Sequence, residues 1–426
     1  MKRNVSLLLV FVMLLVVGVN ATVALADNEV TITVWCWDPA FNLFAMEEAA
    51  KIYATIAPNV KIDIVETPWD DVQTRLTTAV MAGQLDTLPD ILLMQDNALT
   101  KNVISYPGTF VDLTDSGIDF DKFADYKIAL TTVDGKNYGV PFDNGTAITA
   151  LRTDILKEAG YSVNDFKDIT WSKYIEIGED VLAKTGKPLL SGVAESPDLV
   201  MAMLQSAGTW AFYPNGEVYI AANDVLKEAI GVYVELVKSG VMIQVNDWEQ
   251  YISSLHRGTV MGTVNGCWII GSITAQTDHK GLWGITNIPR LEKAPNATNY
   301  SSVGGSSWMV VSSSKHPDVA ADFLAHTFAG STDLYETILP PSGALATYLP
   351  AGDSDVYNEP HEFFGGQAIY AEITAAAAKV PKVSYAVYNY EAREAIGMAI
   401  AQVLAGADLD AALREAEDTV NFLMGP

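Results

Sequence analysis

The sequence predicts an α/β protein made of two lobes, each a mostly parallel sheet with flanking helices. Strands and helices alternate through the first third of the chain, which is typical of parallel sheets with right-handed crossovers. A second alternation of the same kind begins near residue 150. The length beyond the N-terminal segment, about 400 residues, is too great for one compact core and suits two domains.

Residues 1–26 have the pattern of a cleavable signal peptide. Lys2 and Arg3 form a basic start, an apolar run follows, and residues 24–26 (Ala-Leu-Ala) fit an A-x-A cleavage site. The apolar run is shorter than the ~20 residues that a membrane-spanning helix needs. No cysteine stands at the cleavage point to carry a lipid anchor. We therefore expect a secreted mature protein that begins near Asp27 and is located in the periplasm.

The charge and the motif content exclude several classes of function. The chain has 26 basic and 52 acidic residues and a formal net charge of −26, which argues against nucleic acid as a partner. Its five histidines do not recur at metal-ligand spacing. We also find no G-x-S-x-G elbow, no Walker A loop and no C-x-x-C pair. We expect no metal, no cofactor and no catalytic residues.

The first elements can be read in order from the hydrophobic pattern. The predicted elements are a strand at 30–37, a helix at 41–56, a strand at 60–65, a helix that ends at Gly83 and a strand at 91–94. Ligands of parallel sheets collect beyond the carboxyl ends of the strands. We therefore expect a ligand-binding site near these three strand ends.

Aromatic and polar side chains follow all three strands. The candidate ligand-binding residues at these ends are Trp37, Asp38, Trp69, Asp96 and Asn97. Either tryptophan alone is more often a core residue, because tryptophan is highly buried on average. Three such ends together favour a ligand with apolar faces and hydroxyl groups, as a sugar ring has.

The second half begins after a predicted hairpin and crossing. Asp134-Gly135 is typical of a two-residue hairpin turn. Small and polar residues at 143–146 then predict a crossing between the lobes. Further along, Trp268 follows a predicted strand at 260–264, so the strand-end rule places it at a cleft.

An ordered series of motifs resembles the carbohydrate-binding extracellular solute-binding proteins of ABC importers, the group that includes maltose-binding protein. The motifs are residues 88–91, 134–141, 170–171, 262–268 and 303–307. The resemblance implies a periplasmic-binding-protein-like fold with a hinge of several crossings. It implies a sugar bound between the lobes and delivery of that sugar to membrane permease subunits. One lobe would comprise residues 27–144 plus 288–345, and the other 145–287 plus 346–426.

The same resemblance extends the set of candidate ligand residues. Trp268 matches the tryptophan that stacks on sugar in the second lobe. The other implied contacts are Asp143 and Asn144 at the crossing and Gly305 and Ser306 in the 303–307 motif. Tyr385, Tyr388 and Tyr390 all lie near a third aromatic position of the family, and we take Tyr388 as the candidate. Pro39 and Met94 depart from the maltose-binding pattern, which argues against maltodextrin as the ligand. Residues 363–367 and the spacing around Asp143 look more like relatives that serve lactose, arabinose or plant-derived oligosaccharides.

An exported glycoside hydrolase is the alternative, because it too uses aromatic platforms together with a pair of carboxylates. With 52 acidic residues, such a pair can always be proposed, so the signal has no specificity. We therefore expect a receptor that is not an enzyme and that is monomeric. Cys36 and Cys267 would lie on opposite walls of the cleft, and we expect two free, buried thiols.

Overall fold

The computed structural model describes residues 29–383 and 385–425, so the predicted signal peptide lies outside the described residues. The strands are β1 (Val30–Cys36), β2 (Val60–Glu66), β3 (Ile91–Gln95), β4 (Thr132–Val133), β5 (Lys136–Asn137), β6 (Val140–Pro141), β7 (Ala147–Arg152), β8 (Leu190–Val193), β9 (Met242–Val245), β10 (Gly262–Gly266), β11 (Trp283–Thr286) and β12 (Ser306–Val310).

The α-helices lie between and after these strands. They are α1 (Phe44–Ala54), α2 (Trp69–Ala82), α3 (Asp96–Ser105), α4 (Asp125–Thr131), α5 (Thr153–Ala159), α6 (Trp171–Thr185), α7 (Asp198–Ser206), α8 (Asp224–Lys238), α9 (Trp248–His256), α10 (Ile269–Thr274), α11 (Pro317–His326), α12 (Thr332–Ser342), α13 (Ile369–Ala377), α14 (Asn389–Leu404) and α15 (Leu409–Met424). Within the described ranges, none of these helices is both long and apolar enough to cross a membrane.

The first sheet has the strand order β2-β1-β3-β12-β6. β1 pairs in parallel with β2 and β3, whereas β12 runs antiparallel to β3 and β6. Ile91 and Leu93 pack in one apolar cluster and Leu92 and Met94 in another, so both faces of β3 are covered. The parallel pairing predicted for the first three strands is confirmed, and it brings their carboxyl ends to one edge.

The second sheet, β10-β7-β11, differs from the expected parallel arrangement because both of its pairs are antiparallel. A parallel pair, β8-β9, lies beside it. β7 begins at Ala147, directly after the predicted crossing at 143–146. Gly266, at the end of β10, pairs with Ala147, so β10 runs back towards the crossing. The end of β10, and Trp268 after it, therefore lie next to the crossing.

Three segments run side by side between the two sheets. They are residues 142–147, 301–306 and 343–347. The Asn144 N–H donates to the Leu345 carbonyl oxygen (3.1 Å), and the Val303 N–H donates to the Gly145 carbonyl oxygen (2.7 Å). A Cβ at Gly145 would lie 2.6 Å from the Gly304 carbonyl oxygen, so only glycine fits.

Helices from distant parts of the chain build the core beside the second sheet. Leu151 of β7 packs in one cluster with α6, α7 and α8 and with Ala392 and Ile396 of α14. Leu291 and Ala294, in the segment that follows β11, belong to the same cluster. The C-terminal helices are therefore part of the core around the second sheet, although α14 begins close to the crossing.

Both cysteines are buried and unbonded, Cys36 in a cluster of the first sheet and Cys267 in a cluster of the second. Burial raises the pKa of both thiols above the ordinary value. Alkylation without reductant should therefore be slow in the native protein and should give two adducts per chain in denaturant, measured by intact mass. No adducts in denaturant would reveal a disulfide and would contradict the placement of the thiols in separate clusters.

Candidate functional site

The chain turns sharply after β1 and holds Trp37 in a fixed position. The backbone N–H groups of Trp37 and Asp38 both donate to Asn42 Oδ1, each at 3.0 Å. Asp38 in turn caps a short π-helical turn, Pro39–Leu43, by accepting from the Ala40 N–H (2.9 Å). Burial raises the pKa of the Asp38 carboxyl. The turn thus sets an indole and a carboxyl side by side at the sheet edge.

The ends of β1 and β2 bring two tryptophans into contact. The rings of Trp37 and Trp69 meet edge to face, with 5.3 Å between their centroids. Trp69 Nε1 donates to the Tyr390 hydroxyl (3.0 Å), which donates to Gln95 Oε1 at the end of β3 (3.2 Å). Burial raises the pKa of Tyr390, so its phenol keeps the proton that it donates. This chain of contacts joins the first sheet to the start of α14.

A second aromatic surface forms at the end of β10. The Trp268 indole folds back and donates from Nε1 to the Val303 carbonyl oxygen (2.9 Å). A Cβ at Gly266 would collide with that indole, so glycine is required there. Trp248 is 47% exposed. Its ring centroid lies 5.7 Å from that of Trp268, and the ring stacks on Tyr251 with 5.0 Å between the centroids. Two indoles therefore present their faces on the second side of the crossing.

A cavity of about 740 Å³ lies between the turn after β1 and the second aromatic surface. Asp38, Ala40 and Phe41 line it from the first sheet, and Trp248 and Trp268 line it from the side of the second. A larger cavity of about 1040 Å³ lies beside β11 and is lined by none of the predicted ligand residues. We take the smaller cavity as the candidate site because residues from both sides line it, among them the predicted ligand residues Asp38 and Trp268.

The structure does not place Asp96 at this cavity, contrary to the prediction. Its carboxylate forms an ion pair with Lys127, and both side chains are only 1% exposed. Ser307 Oγ donates to the other carboxylate oxygen of Asp96 (2.7 Å). Because both oxygens of Asp96 are bound within the protein, this residue holds β3, α4 and β12 together rather than facing a ligand.

Four further predicted ligand residues lie inside the crossing and are likewise not exposed to the cavity. The Ser306 N–H donates to Asp143 Oδ1 (2.8 Å), and the Thr146 N–H donates to Asn144 Oδ1 (2.8 Å). Asp143, Asn144 and Ser306 are all buried, and burial raises the pKa of the Asp143 carboxyl. Gly305 has a φ of +103°, which favours glycine. These residues bind one another and shape the crossing.

The remaining two predicted residues lie near the start of α14. Asn389 Nδ2 donates to the Asn97 carbonyl oxygen (3.1 Å), so Asn97 faces this helix. Tyr388 instead packs against the core of the second sheet. Of the predicted set, Asp38 and Trp268 line the cavity, and Trp37, which precedes Asp38, contacts Trp69.

The family model for bacterial extracellular solute-binding proteins matches residues 48–364. The chain belongs to this family. The resemblance stated from the sequence motifs is thereby confirmed.

Two relatives of this solute-binding protein have known ligand classes. It is 37% identical to the lactose-binding protein of Rhizobium radiobacter, over 98% of this chain and 97% of that protein. It is 26% identical to the arabinooligosaccharide-binding protein of Bacillus subtilis, over 76% of each chain.

Solved structures with lower identity share the fold. The GacH receptor of Streptomyces glaucescens superposes with a TM-score of 0.78 at 19% identity, covering 91% of this chain and 96% of that one. The galacto-N-biose-/lacto-N-biose I-binding protein of Bifidobacterium longum superposes with a TM-score of 0.74 at 20% identity, covering 92% of this chain and 96% of that one. The predicted two-lobed fold of this solute-binding protein is confirmed.

The sequence analysis left three tyrosines open for the third aromatic position and missed Trp248. Tyr390, not Tyr388, contacts Trp69, and only a helix that begins at Asn389 distinguishes the two tyrosines. Trp248 was overlooked although Asp247 before it is a helix N-cap, which accepts from the Gln250 N–H (2.8 Å). That cap fixes Trp248 as the first residue of α9.

The buried ion pair provides a test of the structural role assigned to Asp96. Lys127→Met leaves a buried carboxylate without its partner, and the expected loss of unfolding free energy in urea titrations is ~3 to 5 kcal/mol. The control is Lys122→Met, which removes the exposed pair with Asp119 (3.6 Å) and should cost less than about 1 kcal/mol. Equal effects of the two substitutions would contradict the structural role.

Proposed function

We propose that this protein is an exported sugar receptor that captures a mono- or oligosaccharide between its lobes and delivers it to the permease of an ABC importer. The observation that carries the proposal is one cavity lined from both sides, by Asp38 and Phe41 after β1 and by Trp248 and Trp268 on the other side. Trp37, which precedes Asp38, forms an aromatic pair with Trp69 at the same sheet edge. The name of the relative at 37% identity supports lactose or a related disaccharide as the ligand.

The residues that line the cavity match the chemistry of a sugar ring. A pyranose has apolar C–H faces, which pack on flat aromatic side chains, and a rim of hydroxyl groups, which need hydrogen-bond partners. Asp38 lies beside Trp37 on the cavity wall and supplies a carboxyl at that rim. The arrangement therefore suits recognition of sugar faces by the tryptophans and of hydroxyl groups by polar side chains between them.

Closure of the cleft would couple binding to recognition by the permease. The crossing has three extended segments, which are suited to rotation of one lobe against the other. A ligand favours the closed state only if it binds that state better than the open one. Contacts from both walls of the cavity supply this difference, because only closure brings both walls onto the same sugar.

The division into lobes follows the sequence prediction except in one segment. The proposed first lobe comprises residues 27–144 plus 301–345, and the second lobe the rest of the mature chain. Residues 288–300, placed in the first lobe by the sequence, go to the second because Leu291 and Ala294 pack in its core. A signal peptide at 1–26, a periplasmic location and a monomeric state complete the proposal.

A glycoside hydrolase is disfavoured by the family. Of the two carboxyl residues that line the cavity, Asp38 and Glu249, Asp38 already accepts from the Ala40 N–H as a helix cap. Incubation with disaccharides and analysis of the products tests this alternative, and the expected outcome is binding without cleavage. Release of monosaccharides at a steady rate would reverse the assignment.

A thermal-shift screen against a sugar panel should identify the ligand class. A sugar that binds the native state adds about 2.7 kcal/mol of stability at 100 times its Kd. We expect lactose or a related disaccharide to give the largest shift and maltodextrins to give none. Titration calorimetry then measures Kd for each positive sugar. If no sugar in a panel of mono- and oligosaccharides shifts the melting temperature, the receptor proposal fails.

The role of Trp268 can be separated from a role in the core. Trp268→Ala should weaken sugar binding by ~2 kcal/mol, about 30-fold in Kd, because it removes a stacking surface. Calorimetry measures the Kd and a melting curve measures the stability. A core tryptophan would instead cost ~3 to 5 kcal/mol of folding stability.

The matched control for this prediction is Tyr213→Ala. Tyr213 is an exposed aromatic residue that does not line the cavity. Its removal should leave the Kd unchanged. Unchanged affinity in a well-folded Trp268→Ala protein would remove Trp268 from the site.

A further inference from the structure

The start of α14 reaches from the second lobe to the first. Most of this helix packs in the core of the second sheet. Its first turn instead contacts first-lobe residues. The Tyr390 hydroxyl accepts from Trp69 and donates to Gln95, and Asn389 Nδ2 donates to the Asn97 carbonyl oxygen (3.1 Å). One turn of helix therefore binds the first lobe through hydrogen bonds to three of its segments.

Ion pairs add to these contacts. Among the ion pairs of residues 29–383 and 385–425, two join the proposed lobes: Lys101 of α3 with Glu391 of α14, and Asp125 of α4 with Lys382 (3.3 Å). The second pair is highly exposed, and such pairs contribute little. Lys101 and Glu391 are only 34% and 18% exposed, so solvent screens their attraction less. The pair between α3 and α14 is therefore the stronger electrostatic link.

All of these contacts lie outside the candidate sugar cavity. Lys101, Asn389, Tyr390 and Glu391 are absent from its walls. Each donor and each acceptor named above is a protein group. The contacts therefore form whenever the lobes come together, and they need no ligand to complete them.

Two buried oxygens at the same junction oppose the contact. Glu391 Oε2 and Asn97 Oδ1 are inaccessible to solvent, and neither has a hydrogen-bond partner within the part of the chain that the structure describes. A buried acceptor without a donor destabilises the state that buries it. The junction is thus a balance of favourable and unfavourable contributions and not a permanent bond between the lobes.

We propose that Asn389, Tyr390 and Glu391 form a clasp that holds the two lobes together without contacting the sugar and thereby sets the affinity of the receptor. This inference rests on the proposed sugar-receptor function and on the proposed division into lobes. Lys101 and Glu391 are then positioning residues, because they act on the sugar only through the position of the lobes.

A population argument connects the clasp with affinity. When a ligand binds a state that is only partly populated, its apparent Kd equals the intrinsic Kd divided by the populated fraction. Contacts that stabilise the closed state raise that fraction and lower the apparent Kd, although they never touch the ligand. The two unpaired oxygens limit the fraction, so that the lobes still separate to admit a sugar.

The first measurement follows closure in the absence of sugar. Spin labels on Lys51→Cys of α1 and Lys173→Cys of α6, both exposed positions, report the distance between the lobes. The native cysteines are buried and should not compete for the label. In Lys101→Met, the ratio of closed to open protein should fall about fivefold, the effect of ~1 kcal/mol. The double variant Lys101→Glu/Glu391→Lys keeps an ion pair between α3 and α14 and should restore the ratio.

The second measurement is Kd by titration calorimetry with the sugar that the panel identifies. Kd in Lys101→Met should rise by the same factor by which the closed fraction falls, and the charge swap should restore it. A residue that contacts the sugar would instead change Kd without changing the sugar-free distances. Lys122→Met, which removes an exposed ion pair within the first lobe, is the control and should change neither quantity. Melting curves establish that each variant is folded.

Three results would overturn the inference. The first is an unchanged distribution of sugar-free distances in Lys101→Met, and the second is a change in Kd that the closed fraction does not match. The third is a charge-swapped variant that stays open, which would show that the ion pair does not hold the lobes. If the unmodified protein binds no sugar, the receptor proposal fails, and the sugar-free distances alone decide whether the clasp closes the lobes.

Discussion

The buried ion pair between Asp96 and Lys127 is the constraint on which the arrangement of the cleft depends. It lies where β3 ends and α3 begins, and Ser307 of β12 donates to the same carboxylate. A buried charge persists only when it is paired and hydrogen-bonded. By fixing the first residue of α3, the pair also fixes the direction in which Asn97 leaves the sheet edge.

The sequence could predict strand ends and aromatic residues because these depend on local pattern. It could not distinguish ligand carboxylates from structural ones, because Lys127 is 31 residues from Asp96 and nothing local marks them as partners. The sequence also could not predict the strand direction in the second sheet, since hydrophobic spacing is the same in parallel and antiparallel strands. Tyr390 and Tyr388 differ only in which side of a helix start they occupy.

The structure balances opposing contributions across the cleft. The hydrogen bonds that Trp69 and Gln95 form with Tyr390 favour contact between the lobes. Unpaired acceptors at Asn97 and Glu391 oppose it. A receptor that closed firmly by itself would exclude its ligand, and one with no intrinsic contact would use all of the binding energy for closure. The two sets of contacts keep the protein between these limits.

The crossing and the cavity walls use different residues, and this separation has an evolutionary consequence. Asp143, Asn144 and Gly305 are committed to one another inside the crossing. The wall residues, such as Trp248 and Asp38, carry none of those backbone contacts. Substitutions in the cavity walls can therefore change ligand preference while the crossing segments stay unchanged. A family of such proteins can in this way evolve to bind different sugars and keep the same hinge.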